Sequence, residues 1–105
     1  MGIKNFYPST RLRERDTVLG HYYFTKHEWK QAVSHLNEAV KQQPKDESIW
    51  IYLAKSLIYI GARDRAKECF DQVIKIKIAK EDFQGAEDIL KEADSMSIDC
   101  NSPLN

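Results

Sequence analysis

The sequence predicts an all-α domain made of two helical hairpins of equal length and one further helix at the C-terminal end. Three observations predict it. Apolar residues recur at the spacing of a buried helix face. The pattern of large and small residues recurs after 34 residues. Pro44 and Gly61 stand between the helical stretches, where a helix has to end.

The repeat of 34 residues appears both in identical residues and in residues of similar size. Three identical pairs are separated by this distance: Leu19 and Leu53, Ala32 and Ala66, and Lys41 and Lys75. Five further pairs match in size class: Gly20 and Ala54, Tyr23 and Leu57, Leu36 and Phe70, Ala39 and Val73, and Val40 and Ile74. A fixed period of this length is typical of stacked helical repeats.

Each unit is predicted to be one helical hairpin, over residues 13–46 and 47–80. The second helix of both units has the same buried stripe, Ala32, Leu36, Ala39 and Val40 in one and Ala66, Phe70, Val73 and Ile74 in the other. The first helix of the second unit has the inner face Trp50, Leu53, Ala54, Leu57 and Ile58. The turns within the hairpins are predicted at 26–28 and 61–64. Pro44 separates the hairpins, and acidic residues come after it at the start of the next helix, where the helix dipole favours them.

The remaining segments lie before and after these two units. Phe83, Ala86, Leu90 and Ala93 repeat the spacing of a second helix, yet Ala86 comes only 20 residues after Ala66. We therefore expect a solitary capping helix at 81–96 that covers the last hairpin, without a first helix of its own. Residues 73–78 also alternate like a strand, but the repeat phase favours helix. An N-terminal segment at 1–12 and a flexible tail at 97–105 complete the predicted organisation.

The sequence resembles the tetratricopeptide repeat, a family that builds right-handed α-solenoids. The first unit carries the family's pattern at Leu19, Gly20, Tyr23, Ala32, Leu36, Ala39 and Pro44, and the second carries it at Trp50, Leu53, Ala54, Leu57, Ala66, Phe70 and Val73. Two positions depart from it. Asp16 stands where the family prefers Trp, and Ile78 stands where it closes with Pro.

Composition excludes several classes of partner. The 105 residues fit one domain and carry 16 basic and 16 acidic side chains, so the chain lacks the basic excess typical of nucleic-acid binding. No stretch is long and apolar enough to span a bilayer, so no membrane partner is expected. Cys69 and Cys100 are too few for a disulfide framework, and no apolar leader comes after Met1. We expect two free thiols and a cytoplasmic location.

No constellation of catalytic or metal-binding residues is found in the sequence. His27 and Glu28 begin a zinc-protease pattern, but Gln31 stands where the second His would be required. His21, His27 and His35 lack partner ligands at metal-binding spacing. Cys69 lies between acidic residues, which disfavour a thiolate. We therefore predict no enzyme activity, no metal and no cofactor.

The resemblance implies that the first helices of the hairpins line a concave groove that binds a segment of another protein. The family's groove positions correspond to Thr17, His21, Phe24, Thr25, Ile51, Lys55, Ile58 and Tyr59. Packing inside the domain is an equal alternative for Phe24, Ile51 and Ile58. The chain departs from the family's clamp for acidic chaperone tails, because Thr17 and His21 occupy its first-helix positions.

The implied function is that of a scaffold, an adaptor or a subunit of a complex, with a protein or peptide as the partner. Three alternatives stay open. One is a homo-oligomeric structural element, in which copies, for example in a homo-dimer, associate through a repeat end or through Phe6, Tyr7 and Leu12. A second is a chaperone for assembly or secretion, and a third is a regulatory part of an enzyme.

Overall fold

The structure is a computed structural model that describes the backbone of residues 8–101 and the side chains of residues 14–95. It contains five α-helices: α1 (Pro8–Thr25), α2 (Trp29–Gln42), α3 (Glu47–Tyr59), α4 (Arg63–Ala79) and α5 (Phe83–Asn101). Each helix packs against the next one, and α1 also contacts α3. The prediction of an all-α fold with two hairpins and a further helix is confirmed.

The core lies between the hairpins and is built from the predicted stripes. Ala32, Leu36, Ala39 and Val40 of α2 are buried, as are Ala66, Phe70 and Val73 of α4 and Leu53, Ala54 and Leu57 of α3. Ile49, which the predicted stripes do not include, is also fully buried and belongs to the same cluster. Ile74, Trp50 and Ile58 are half-buried against it.

The small residues of the repeat permit close helix packing, as Gly20 shows. A Cβ atom added at Gly20 would lie 2.7 Å from Cγ of Leu36, which is closer than two carbon atoms can approach. The backbone of α1 therefore rests directly on the Leu36 side chain of α2.

Three of the four helix connections are the same turn. Each has one residue in the left-handed conformation, with φ of 63° at His27, 88° at Gly61 and 63° at Glu81. In each turn the next amide donates to a carbonyl five residues earlier, a pattern that ends helices: Glu28 to Tyr23 at 2.9 Å, Ala62 to Leu57 at 2.8 Å and Asp82 to Lys77 at 2.8 Å. The connection from α4 to α5 is thus made like a turn inside a hairpin.

The connection between α2 and α3 is different and contains Pro44. Asp46 is the N-cap of α3, and its carboxylate accepts a hydrogen bond from the amide of Ser48 at 3.1 Å. The indole Nε1 of Trp50 donates to the Pro44 carbonyl at 2.6 Å. These contacts fix the entry of the second hairpin.

The absence of a closing Pro explains the course of the chain after the second unit. Ile78 does not interrupt α4, which continues to Ala79 and then enters the hairpin turn at Glu81. Helix α5 therefore follows α4 through a turn of the same form as those inside the two hairpins. Residues 73–78, which alternate like a strand, lie in α4, so the strand alternative is wrong.

The helix ends differ from the predicted segment boundaries. Helix α1 begins at Pro8, inside the predicted N-terminal segment, because Pro is well suited to the first position of a helix. Helix α5 continues to Asn101, inside the predicted flexible tail. Phe6 and Tyr7, the Leu12 side chain and residues 102–105 lie outside the described part of the chain. The division into domain segments stays a prediction.

The buried face of α5 is narrower than predicted. Ala86, Ile89 and Ala93 are buried against α4, whereas Phe83 and Leu90 are 63% and 49% exposed. The reason is that α5 packs closely against α4 alone, so one neighbour covers only one stripe of the helix.

Candidate protein-binding face on the first and third helices

The first helices of the two hairpins lie side by side and are joined by aromatic rings. The rings of His21 in α1 and Tyr52 in α3 meet edge to face with centroids 4.3 Å apart. Phe24 contacts the same Tyr52 ring in an edge-to-face arrangement at 4.9 Å. Such contacts stabilise the register between α1 and α3, which positions every other side chain of this face.

The aromatic contacts continue to the turn end of the hairpins. Trp29, at the start of α2, stacks on Tyr59, at the end of α3, with centroids 4.1 Å apart and ring planes inclined by 11°. His27 stacks on Trp29 at 5.1 Å, and Phe24 meets its edge at 5.2 Å. Tyr59 is 61% exposed, so this end of the face presents an aromatic surface to solvent.

The eight predicted groove residues are not equivalent in the structure. Phe24, Ile51 and Ile58 are half-buried and pack against the core, while His21 and Lys55 are half-exposed between the helices. Thr17 accepts a hydrogen bond from Nε2 of Gln43 at 3.2 Å. The Thr25 hydroxyl donates to the Tyr22 carbonyl at 2.7 Å, so it is partly engaged within α1.

Lys55 is near an acidic residue of α5. Its ammonium nitrogen lies 3.9 Å from a carboxylate oxygen of Glu92, and both side chains are a little more than one third exposed. A pair at this exposure and distance contributes little to stability and separates easily. Helix α5 therefore borders this face through Glu92.

Comparison with known proteins relates this arrangement to a family. Residues 14–56 match the family model of the Tetratricopeptide repeat, which covers α2 and most of α1 and α3. Residues 14–56 therefore carry the tetratricopeptide repeat. A solved structure described as the TPR2B-domain:pHsp70 complex of yeast Sti1 is similar in fold, with a TM-score of 0.56 and 21% identity. The likeness covers 86% of this chain and 83% of that chain, so the helical-repeat solenoid extends well beyond residue 56. No curated protein matches the chain.

Three residues of the α1–α3 face were missed by sequence reasoning. The Tyr52 ring of α3 contacts His21 of α1 and so joins the first helices of the two hairpins. Trp29 stacks on the exposed ring of Tyr59, and Glu92 forms an ion pair with Lys55. The excess of aromatic residues at 22–29 was a usable signal for Trp29, because rings on neighbouring helices tend to cluster. No local signal indicates Glu92, which depends on where α5 lies.

His21 contributes ring contact rather than a free polar group. Its Nε2 atom is buried and has no hydrogen-bond partner within the part of the chain that the structure describes. A ligand on the surface therefore does not reach this nitrogen. Lys55 is the cationic group that the face offers.

Cys69 of the second hairpin lies beside a cleft of about 230 Å³ bordered by Arg65, Glu68 and Gln72. The thiol is buried, and burial raises its pKa to about 11, with only a smaller opposing effect from Arg65. It is therefore protonated at neutral pH and a poor nucleophile.

Among the described residues, no group of three or more His, Cys, Asp or Glu side chains could hold a metal ion. Within the same residues, no helix meets the length and apolarity needed to cross a membrane.

Proposed function

We propose that this chain is a non-catalytic protein-binding module that holds an extended peptide segment of a partner against the face formed by α1 and α3. The observation that carries the proposal is the row of half-buried and exposed apolar groups on this face, which ends in the Trp29–Tyr59 stack and includes one separable cation, Lys55. Rigid aromatic side chains of this kind supply most of the binding energy in protein interfaces. Scaffold, adaptor and complex subunit are the roles that such a module serves, and we place it in the cytoplasm.

A peptide as the occupant agrees with the solved neighbour, which is a complex with pHsp70. The chemistry of this face favours a segment with apolar side chains and one carboxylate. The carboxylate would replace Glu92 at the Lys55 ammonium, and the apolar groups would cover Tyr59 and the exposed parts of Ile51 and Ile58. An acidic C-terminal chaperone peptide is a poorer fit, because Thr17 and His21 occupy the first-helix positions of the family's clamp for such peptides.

The test is a selection from a displayed random-peptide library on the immobilised chain, with calorimetry on the selected peptides. We expect Tyr59→Ala to weaken binding by about ten-fold or more, as is typical of interface aromatic residues. Tyr22→Ala is the matched control, since Tyr22 is also an exposed tyrosine, at 51% against 61% for Tyr59, and lies on another side of α1. We expect it to leave binding unchanged.

A second pair of variants tests the role of the cation. Lys55→Ala is expected to weaken binding of carboxylate-bearing peptides, whereas Lys75→Ala, on an exposed position of α4, is expected to have no effect. If Tyr59→Ala and Tyr22→Ala bind all selected peptides equally, the α1–α3 face is not the binding site.

A further inference from the structure

Helix α5 carries an exposed row that mixes apolar and acidic residues. Phe83, Glu87, Leu90 and Asp94 are spaced by three or four positions, so they lie on one side of the helix. All four are exposed, and the two apolar members are 63% and 49% exposed. We name Phe83, Glu87, Leu90 and Asp94 the acidic row. It lies beside the stripe that packs on α4 and is covered by no described helix.

Helix α1 and the first residue after it, Lys26, carry a similar row of the opposite charge. Arg15, Val18, Tyr22 and Lys26 are also spaced by three or four positions. Val18 is 62% exposed and Tyr22 is 51% exposed, and the Lys26 ammonium lies 5.6 Å from the centre of the Tyr22 ring. We name Arg15, Val18, Tyr22 and Lys26 the basic row.

The two rows cannot meet within one molecule as it is folded. Helix α1 packs on α2 and α3, and α5 packs on α4, so the rows belong to opposite ends of the helix order. Two apolar residues of one row are matched by two of the other, and two carboxylates are matched by two cations. Complementary charge of this kind selects a partner and its register. The whole chain has no net charge to drive copies apart, since its 16 basic and 16 acidic residues cancel.

We propose that the acidic row of one copy binds the basic row of a second copy, so that the helical stack continues from molecule to molecule. The contact joins two different surfaces. An open assembly therefore keeps an unpaired acidic row at one end and an unpaired basic row at the other, and it either grows further or closes as a ring. This proposal concerns the ends of the stack and does not depend on peptide binding at the α1–α3 face.

The test uses charge reversal on each row, measured by sedimentation equilibrium over a concentration series. We expect the native chain to exceed its 12.2 kDa monomer mass as concentration rises, and to return toward it at high salt. The double variants Glu87→Lys with Asp94→Lys, and Arg15→Glu with Lys26→Glu, are each expected to raise the dissociation constant by about ten-fold or more. An equimolar mixture of the two is expected to associate again, because each altered row then meets its opposite.

Controls separate the interface from general charge and folding effects. Glu68→Lys with Asp71→Lys makes the same charge change on exposed positions of α4 and should leave association unchanged. Circular dichroism checks that every variant is helical. If the charge-reversed acidic row does not fold, the neutral double variant Glu87→Gln with Asp94→Asn takes its place. Phe83→Ser with Leu90→Ser should abolish association, while Tyr59→Ala should not affect it.

Three results would overturn the proposal. One is a native mass that stays at 12.2 kDa up to millimolar concentration at low salt. Another is association that neither reversal weakens. The third is a mixture of the two reversed variants that remains monomeric while both are folded, which would mean that the rows bind another partner or none.

Discussion

Ser56 lies in the middle of α3 with none of its surface exposed, and its hydroxyl has no hydrogen-bond partner among the described residues. A buried hydroxyl without a partner has lost its hydrogen bonds to water and gained none in return. Its neighbours in the helix, Leu53, Ala54 and Leu57, are all buried and apolar. At the scale of single residues, Ser56 is therefore a weak point of the core.

Ser56→Ala is expected to stabilise the protein by about 1 kcal/mol, because it removes the unpaired hydroxyl and leaves the packing otherwise intact. Urea unfolding monitored by circular dichroism measures the free energy of unfolding. Ser34→Ala is the control, since Ser34 is an exposed serine in α2 and reports only the helix propensity of alanine. A loss of stability in Ser56→Ala relative to this control would show that the hydroxyl has a partner in solution.

Helix pairing depends on one turn that is used three times with different residues. Gly61 adopts the left-handed conformation at no steric cost, but His27 and Glu81 adopt it with a side chain attached. A Cβ atom added at Gly61 would meet nothing within 4 Å. Any cost of a side chain there therefore comes from the backbone conformation rather than from crowding.

Glu81→Gly is accordingly expected to stabilise the protein by about 1 kcal/mol, and Gly61→Ala to destabilise it by a similar amount. Glu68→Gly, at an exposed interior position of α4, is the matched control and should destabilise by about 1 kcal/mol. Thermal and urea unfolding measure the change in the free energy of unfolding for each of the three variants. If Glu81→Gly behaves like Glu68→Gly, the turn between α4 and α5 does not hold the left-handed residue in solution.

At the scale of the whole molecule, one charged cluster connects three helices. A Glu47 carboxylate oxygen at the start of α3 lies 2.7 Å from the ammonium of Lys77, and its other oxygen lies 2.8 Å from that of Lys80. Lys77 also lies 3.5 Å from Asp82, which precedes α5. The hydrogen bonds from Lys77 and Lys80 lower the pKa of Glu47 below its ordinary value of 4.5. The hydrogen bond to Glu47 raises the pKa of Lys77.

Because folding lowers the pKa of Glu47, its contribution to stability is present above about pH 4.5 and is lost as the pH falls through the lowered value. Glu47→Gln should therefore reduce stability by about 1 kcal/mol at pH 7, and the difference from the native chain should shrink toward about pH 2. Urea unfolding across this pH range measures it. Glu38→Gln, which breaks an exposed pair with Lys41, is the control with a smaller effect. If the difference in the free energy of unfolding between Glu47→Gln and the native chain stays constant with pH, the ionised Glu47 carboxylate does not stabilise the fold.

Residue order was sufficient to predict the helices and their pairing into two hairpins, because apolar spacing, small residues and the 34-residue period are properties of neighbouring positions along the chain. It also indicated the tetratricopeptide repeat. Only the packed molecule reveals how α5 attaches to α4, that Glu92 meets Lys55, and that Phe83 and Leu90 stay exposed. These features depend on residues distant in sequence, and no local pattern encodes which surfaces a neighbouring helix will cover. The groove residues stay a prediction for this reason: Phe24, Ile51 and Ile58 share their surface between the core and solvent.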